Sequence, residues 1–332
     1  SNWIKTESGA LVDKYKKTAI LFSGSAYNIK FSLESELKNF VVPNNADIFI
    51  LTERRCKKRK TVHGNILNAQ GLMPDAMDPE WHEKAKTIIH DECILTDEEI
   101  KLIKDTFGDR LKGFWLKDDM PEYMDYLKGQ RSKMMKLLNE YSEYNVKHGL
   151  PTSYGSNITD VNNGNLRCVV DQYGHVKKCY ELMEEYEKQH GFKYDYVVRA
   201  RLDFIVPTPI DIEEHILNHD IRYLYEMGSY NNDADEFASA RDGYEFADEF
   251  GWFSDRIIAA KLFPNLDKLG MLVDRKYKTA LADQNHDFRF GAEVQWAMLL
   301  KELKLPIYNV KIFRSSKFTD GKDGFDYHNY MY

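Results

Sequence analysis

Apolar positions along the chain follow two rhythms that alternate. Residues 16–23 (KKTAILFS) and 47–52 (DIFILT) are short continuous apolar runs, the pattern of strands buried on both faces. Between them Ile29, Leu33, Leu37 and Phe40 recur at three- and four-residue spacing, which predicts a helix ended by the turn Pro43-Asn44-Asn45. This strand–helix–strand order implies a parallel pair joined by a right-handed crossover. The helical rhythm returns over 165–189, with Val169, Tyr173, Val176, Tyr180 and Met183 as its buried stripe. A late helix from Gly291 through Glu293, Trp296, Leu299 and Leu303 precedes a closing strand at 307–313. Further strands are expected at 221–226 and at the aromatic-glycine run Gly251-Trp-Phe-Ser254. The expected fold class is α/β: a Rossmann-like α/β/α sandwich around a mixed, mostly parallel sheet, in one domain spanning 1–332.

Residues 61–160 fit this alternation least. Thr96-Asp-Glu-Glu99 is a capping box that opens a helix. Pro121 opens another, carried through Met134, Leu137, Leu138 and Tyr141 and closed near Gly149. The stretch reads as a helical insertion beside the sheet.

The most informative pattern is at 194–207, YDYVVRARLDFIVP. Period-two alternation puts Tyr196, Val198, Ala200, Leu202 and Phe204 on one face of a strand. Val197, Arg199, Arg201 and Asp203 fall on the other. Two guanidiniums and a carboxylate crowded toward a strand's carboxyl end are costly unless a cleft or a charged ligand meets them. Open α/β sheets bind ligands at that end. The strand is therefore expected to floor an active site.

Composition narrows the function. Charged residues at 30% and aromatics at 13% fit a folded protein, and a net charge of -7 gives no support to nucleic-acid binding. Cys56, Cys93, Cys168 and Cys179 show no C-x-x-C spacing, which argues against zinc and for a reducing, cytoplasmic setting. No apolar run reaches the length of a membrane span. The opening Ser-Asn reads as a cleavage scar, so the chain is open to being part of a larger polypeptide. The basic run after the second strand leaves Arg54 or Arg55 within reach of a diphosphate.

Four segments in order resemble nucleotide-sugar glycosyltransferases of the GT-A type, as found in bacteria and large viruses. They are AILFSG with the helix and DIFILT after it, the helix containing Gln172 that runs into YDYVVRARLDF, the DEFGWFSD segment from Asp248, and Glu293 at the start of the late helix. The resemblance implies a nucleoside diphosphate sugar as donor and a glycan or glycoconjugate hydroxyl as acceptor. Asp203 matches the last acid of the family's Asp-x-Asp motif, which holds a divalent metal, Mn2+ or Mg2+, against the diphosphate. Arg201 stands where the first acid would be, so either the metal has other ligands or the arginines neutralise the leaving group. Ser23, Gly24 and Thr52 match positions that touch the nucleotide, and Gln172, off the buried stripe of its helix, can be presented to it. Arg199 and Arg201 are the candidate phosphate cations. Asp248 and Glu249 are the candidate bases for the acceptor hydroxyl, with Asp242 and Asp255 behind them. Two other classes stay open: a non-catalytic nucleotide- or glycan-binding domain, and a nucleotidyltransferase.

Overall fold

The computed structural model describes residues 3–5, 11–13, 17–24, 26, 29–56, 93–149, 158–202, 206, 208–230, 251–272 and 292–314. A seven-stranded sheet organises them. Its strands in chain order are β1 (Thr18–Ser23), β2 (Asp47–Thr52), β3 (Leu111–Leu116), β4 (Tyr196–Ala200), β5 (Leu224–Tyr230), β6 (Gly251–Asp255) and β7 (Ile307–Arg314). Across the sheet they stand in the order β7-β5-β6-β4-β1-β2-β3. All neighbours are parallel except β6, which runs against both β4 and β5.

The two apolar runs became β1 and β2 because both faces of each are covered. Ala19 to Phe22 and Ile48 to Leu51 have no exposed surface, and burying each large side chain fully contributes about 1.5–3 kcal/mol. Alternate residues feed two separate cores. Ile20, Phe22, Ile48, Ile50, Tyr196, Val198 and Ala200 join one, which is closed by α1 (Ile29–Glu36), α2 (Asp97–Phe107) and α5 (Ile212–Leu217). Leu21, Phe49, Val197 and Trp252 join the other, beneath α3 (Pro121–Lys147), α4 (Gly164–His190), α6 (Arg256–Leu262) and α7 (Ala292–Leu303). The protein is thus a three-layer α/β/α arrangement, as expected for its class.

Two sequence expectations meet a different structure, and a third is met. The strand expected over 194–207 is regular only from Tyr196 to Ala200, so Arg201 stands just past its end. Residues beyond it are tied to α1 and to the helical turn Leu37–Val41 that continues it: Ser32 Oγ donates to the Leu202 carbonyl at 2.5 Å, and Asn39 donates to that of Val206 at 2.7 Å. Within 61–160, the edge strand β3 belongs to the central sheet, so that stretch is more than a helical insertion beside it. Leu111–Leu116 has only six residues, one of them a glycine, between two strong helical patterns, and its contribution is easily hidden by them. Trp115 folds over Gly113 and stacks on Phe49 at 6.4 Å, which compensates the missing side chain. The capping box at Thr96 forms as its spacing predicts, each partner meeting the other's backbone N–H.

Gly251 is required by a close approach. It pairs with Ala200 where β6 meets β4, and a Cβ there would lie 1.9 Å from the Arg199 carbonyl oxygen.

Candidate functional site at the carboxyl edge of the sheet

The chain order fixes where a ligand crevice opens. From β1 it steps outward to β2 and then β3, and only afterwards returns to place β4 on the other side of β1. The chain leaving β1 enters α1, and Leu202, just past β4, accepts from Ser32 of that same helix, so the carboxyl ends of β1 and β4 lie side by side where the strand order reverses, the place where open α/β sheets leave a gap for a ligand. Ser23 and Gly24 stand on one side of that gap. Arg201 stands on the other, since Phe22 pairs with Ala200.

Each of these residues is set up by its local structure. Gly24 adopts φ +113°, a region that favours glycine, and nothing lies within 4 Å of where its Cβ would be. Its carbonyl accepts from Thr52 Oγ1 at 2.6 Å, and its N–H donates to the Leu51 carbonyl at 3.3 Å. Thr52 thus serves to hold the turn after β1. Ser23 is 4% exposed, yet its hydroxyl has no hydrogen-bond partner among the described residues. Such a group costs about 1–3 kcal/mol when buried without a partner, which is the usual mark of a missing ligand or water. Arg201 is half-buried.

The two arginines of the RAR string have separated. Arg199 lies on the face covered by α4 and α7, 2% exposed, with its guanidinium 5.0 Å from the centre of the Trp252 ring. Trp252 stacks against Trp296 at 4.3 Å, and the Trp296 indole N–H donates to Glu226 at 2.8 Å. Arg199 is therefore enclosed by the helical layer, while Arg201 reaches the rim. Gln172 lies half-buried in the first half of α4. Asp203, Asp242, Asp248 and Glu249 lie outside the described residues. Asp255 belongs to the opposite edge of the sheet, where it caps α6 and pairs with Arg222 at 2.8 Å. It is too far from the crevice to act as a base there. Arg54 is engaged by Asp97 at 2.8 Å.

A second polar group, which the sequence did not reveal, lies farther along the same edge. Lys117, just past β3, is 4% exposed and forms an ion pair with Glu53, just past β2. The buried His175 of α4 shares a 2.6 Å hydrogen bond with the Tyr123 hydroxyl of α3. Burial, reinforced by the nearby charges of Lys117, Arg167 and Arg131, pushes its pKa well below the ordinary imidazole value. Burial raises the Tyr123 phenol well above its own ordinary value, and the Asp171 carboxylate adds to this. His175 is thus a neutral ring here. Arg131 donates to Asp171 at 2.6 Å, and Arg167 approaches the other oxygen of that carboxylate at 3.3 Å. These residues come from four separate elements, so no spacing in the chain could have shown them together.

Among the described residues, no group of three or more His, Cys, Asp or Glu side chains is placed to hold a metal ion. The side chains described at the carboxyl ends of β1 and β4 are a hydroxyl, Ser23, and a guanidinium, Arg201, which suit an anion. None of the described helices is long and apolar enough to cross a membrane. Comparison with models of known protein families gives no match, and neither does comparison with curated proteins.

Proposed function

We propose that this chain is a GT-A-type glycosyltransferase, transferring a sugar from a nucleoside diphosphate sugar to a hydroxyl of a glycan or glycoconjugate. One observation carries the reading: at the sheet's switch point Ser23, a buried hydroxyl with no partner among the described residues, stands at the end of β1 beside Arg201 at the end of β4. Gly24 leaves space for backbone to approach a phosphate.

In the transfer, the acceptor oxygen bonds to the anomeric carbon as the bond from that carbon to the diphosphate oxygen breaks. The leaving diphosphate keeps the electron pair, and the acceptor proton passes to a base. Arg201 offsets the charge that grows on the leaving group. Asp248 or Glu249 takes the proton. Asp203, the residue to which the resemblance assigns the metal, lies outside the described residues, and no step is routed through a metal.

A non-catalytic nucleotide- or glycan-binding domain is the second reading, favoured by Arg201 standing where the resemblance implies an acid. Hydrolysis of a panel of UDP-, GDP- and CMP-sugars, with and without manganese, separates the two. The proposal expects turnover of at least one donor and its loss in Asp203→Ala. Saturable binding without turnover supports the second reading, and synthesis of a nucleotide sugar from a sugar phosphate would make the chain a nucleotidyltransferase.

A further inference from the structure

An open groove of about 630 Å³ lies away from the crevice, on the helical layer where the first turn of α3 meets the middle of α4. Its size falls within the range of about 300–1,000 Å³ typical of small-ligand sites. Met120, Pro121 and Tyr126 line one side, and Lys177, Lys178 and Glu181 of α4 the other. We infer that this groove binds a neutral oligosaccharide.

The argument rests on the lining. Its charged side chains are Glu122, Glu181, Lys177 and Lys178, so their formal charges cancel and the groove selects neither a phosphate nor a cation. Three of them, Lys177, Lys178 and Glu181, are instead held in a chain of donors and acceptors. Lys177 lies 3.1 Å from Glu181 and 3.5 Å from Asp267, and Lys178 lies 3.8 Å from Glu181. Tyr126 donates to Asp267 at 3.5 Å. A sugar hydroxyl both donates and accepts, so a row of alternating fixed partners suits it better than a row of one sign. Tyr126 also keeps 38% of its surface exposed beside Met120 and Pro121. That apolar side can meet the C–H face of a pyranose ring, a contact that free ions do not need. At Gly174 a Cβ would meet Leu127 at 2.7 Å, so this glycine lets α3 close on α4 and leaves the floor between them smooth.

The inference stands independently of the proposed transfer, because the groove and the crevice share no residue. Neutral tri- and tetrasaccharides of the gluco-, manno-, galacto- and N-acetylglucosamine series can be titrated into the intact chain and followed by saturation-transfer NMR. At least one series is expected to bind. Tyr126→Ala should weaken that binding at least tenfold and Lys178→Met several-fold, both with unchanged thermal midpoints and unchanged binding of nucleoside diphosphate. Lys178→Met, at a half-buried position with its ammonium paired only at 3.8 Å, keeps the test decisive if Tyr126→Ala unfolds. Failure of every series, binding that ignores both substitutions, or tighter binding of a sulfated than of a neutral oligosaccharide would overturn it.

Discussion

Two places on the same edge of the sheet gather polar side chains, and they do so in opposite ways. Beyond β2 and β3, the charges close on each other: Lys117 with Glu53, Arg131 and Arg167 with Asp171, Tyr123 with His175. Above β1 and β4, the Ser23 hydroxyl is buried with no partner among the described residues, and Arg201 reaches the rim. Buried charge is tolerated in the first place because the protein supplies its own counter-charge. In the second, the fold leaves a polar group waiting, which is costly for stability and useful for binding. The difference separates side chains that hold the fold from those that meet a ligand, although both sets are polar and both lie at the end where α/β sheets bind.

Substitutions can break or sharpen this contrast. Lys117→Met strands Glu53 in a nearly closed site and should lower unfolding free energy by about 3–5 kcal/mol, the usual cost of breaking a buried pair; chemical denaturation measures it. Should the variant be as stable as the wild type, the corner is not a self-contained ion pair. Arg201→Ala acts on binding: diphosphate affinity by calorimetry should be weaker by about 1.5–3 kcal/mol, as a lost charge-assisted hydrogen bond implies. Ser23→Ala removes an unsatisfied buried hydroxyl, so denaturation should show it unchanged or more stable by up to about 1 kcal/mol while ligand binding weakens. A loss of stability there would mean the hydroxyl already has a partner.

The smallest effect concerns His175. Burial holds its folded pKa below the value of about 6.5 found in unfolded chains, so the unfolded chain takes up the proton first. The contribution of the neutral ring to stability is complete above pH 6.5 or so and declines as pH falls through that value. His175→Asn, which keeps an acceptor for Tyr123, should flatten the decline of the denaturation midpoint between about pH 7 and pH 5. Equal slopes in both proteins would show that another group sets it.

The sequence shows the fold better than it shows the site, for a physical reason. β2 follows directly from DIFILT, and the α4 stripe from Val169 to Met183 is buried as its spacing requires, because periodicity is a local record of burial. The RARLD string announced charge at a strand's carboxyl end, but alternation alone treats Arg199 and Arg201 alike. What separates them is that the strand stops at Ala200, beyond which Leu202 and Val206 are bonded to Ser32 and Asn39 of a distant segment. The Lys117–Glu53 and Tyr123–His175 contacts bring together residues 52 or more positions apart, and their residue types give no hint of one another. Asp203, Asp248 and Glu249 stand as sequence expectations outside the described residues.

The central claim is most directly tested by a crystal structure of the chain grown with a saturating nucleoside diphosphate, UDP or GDP. The account predicts the diphosphate seated between Ser23–Gly24 and Arg201, with the Ser23 hydroxyl bonded to the nucleotide and the Lys117–Glu53 pair undisturbed. A diphosphate held elsewhere, or a crevice that stays empty at saturation with both nucleotides, would contradict it.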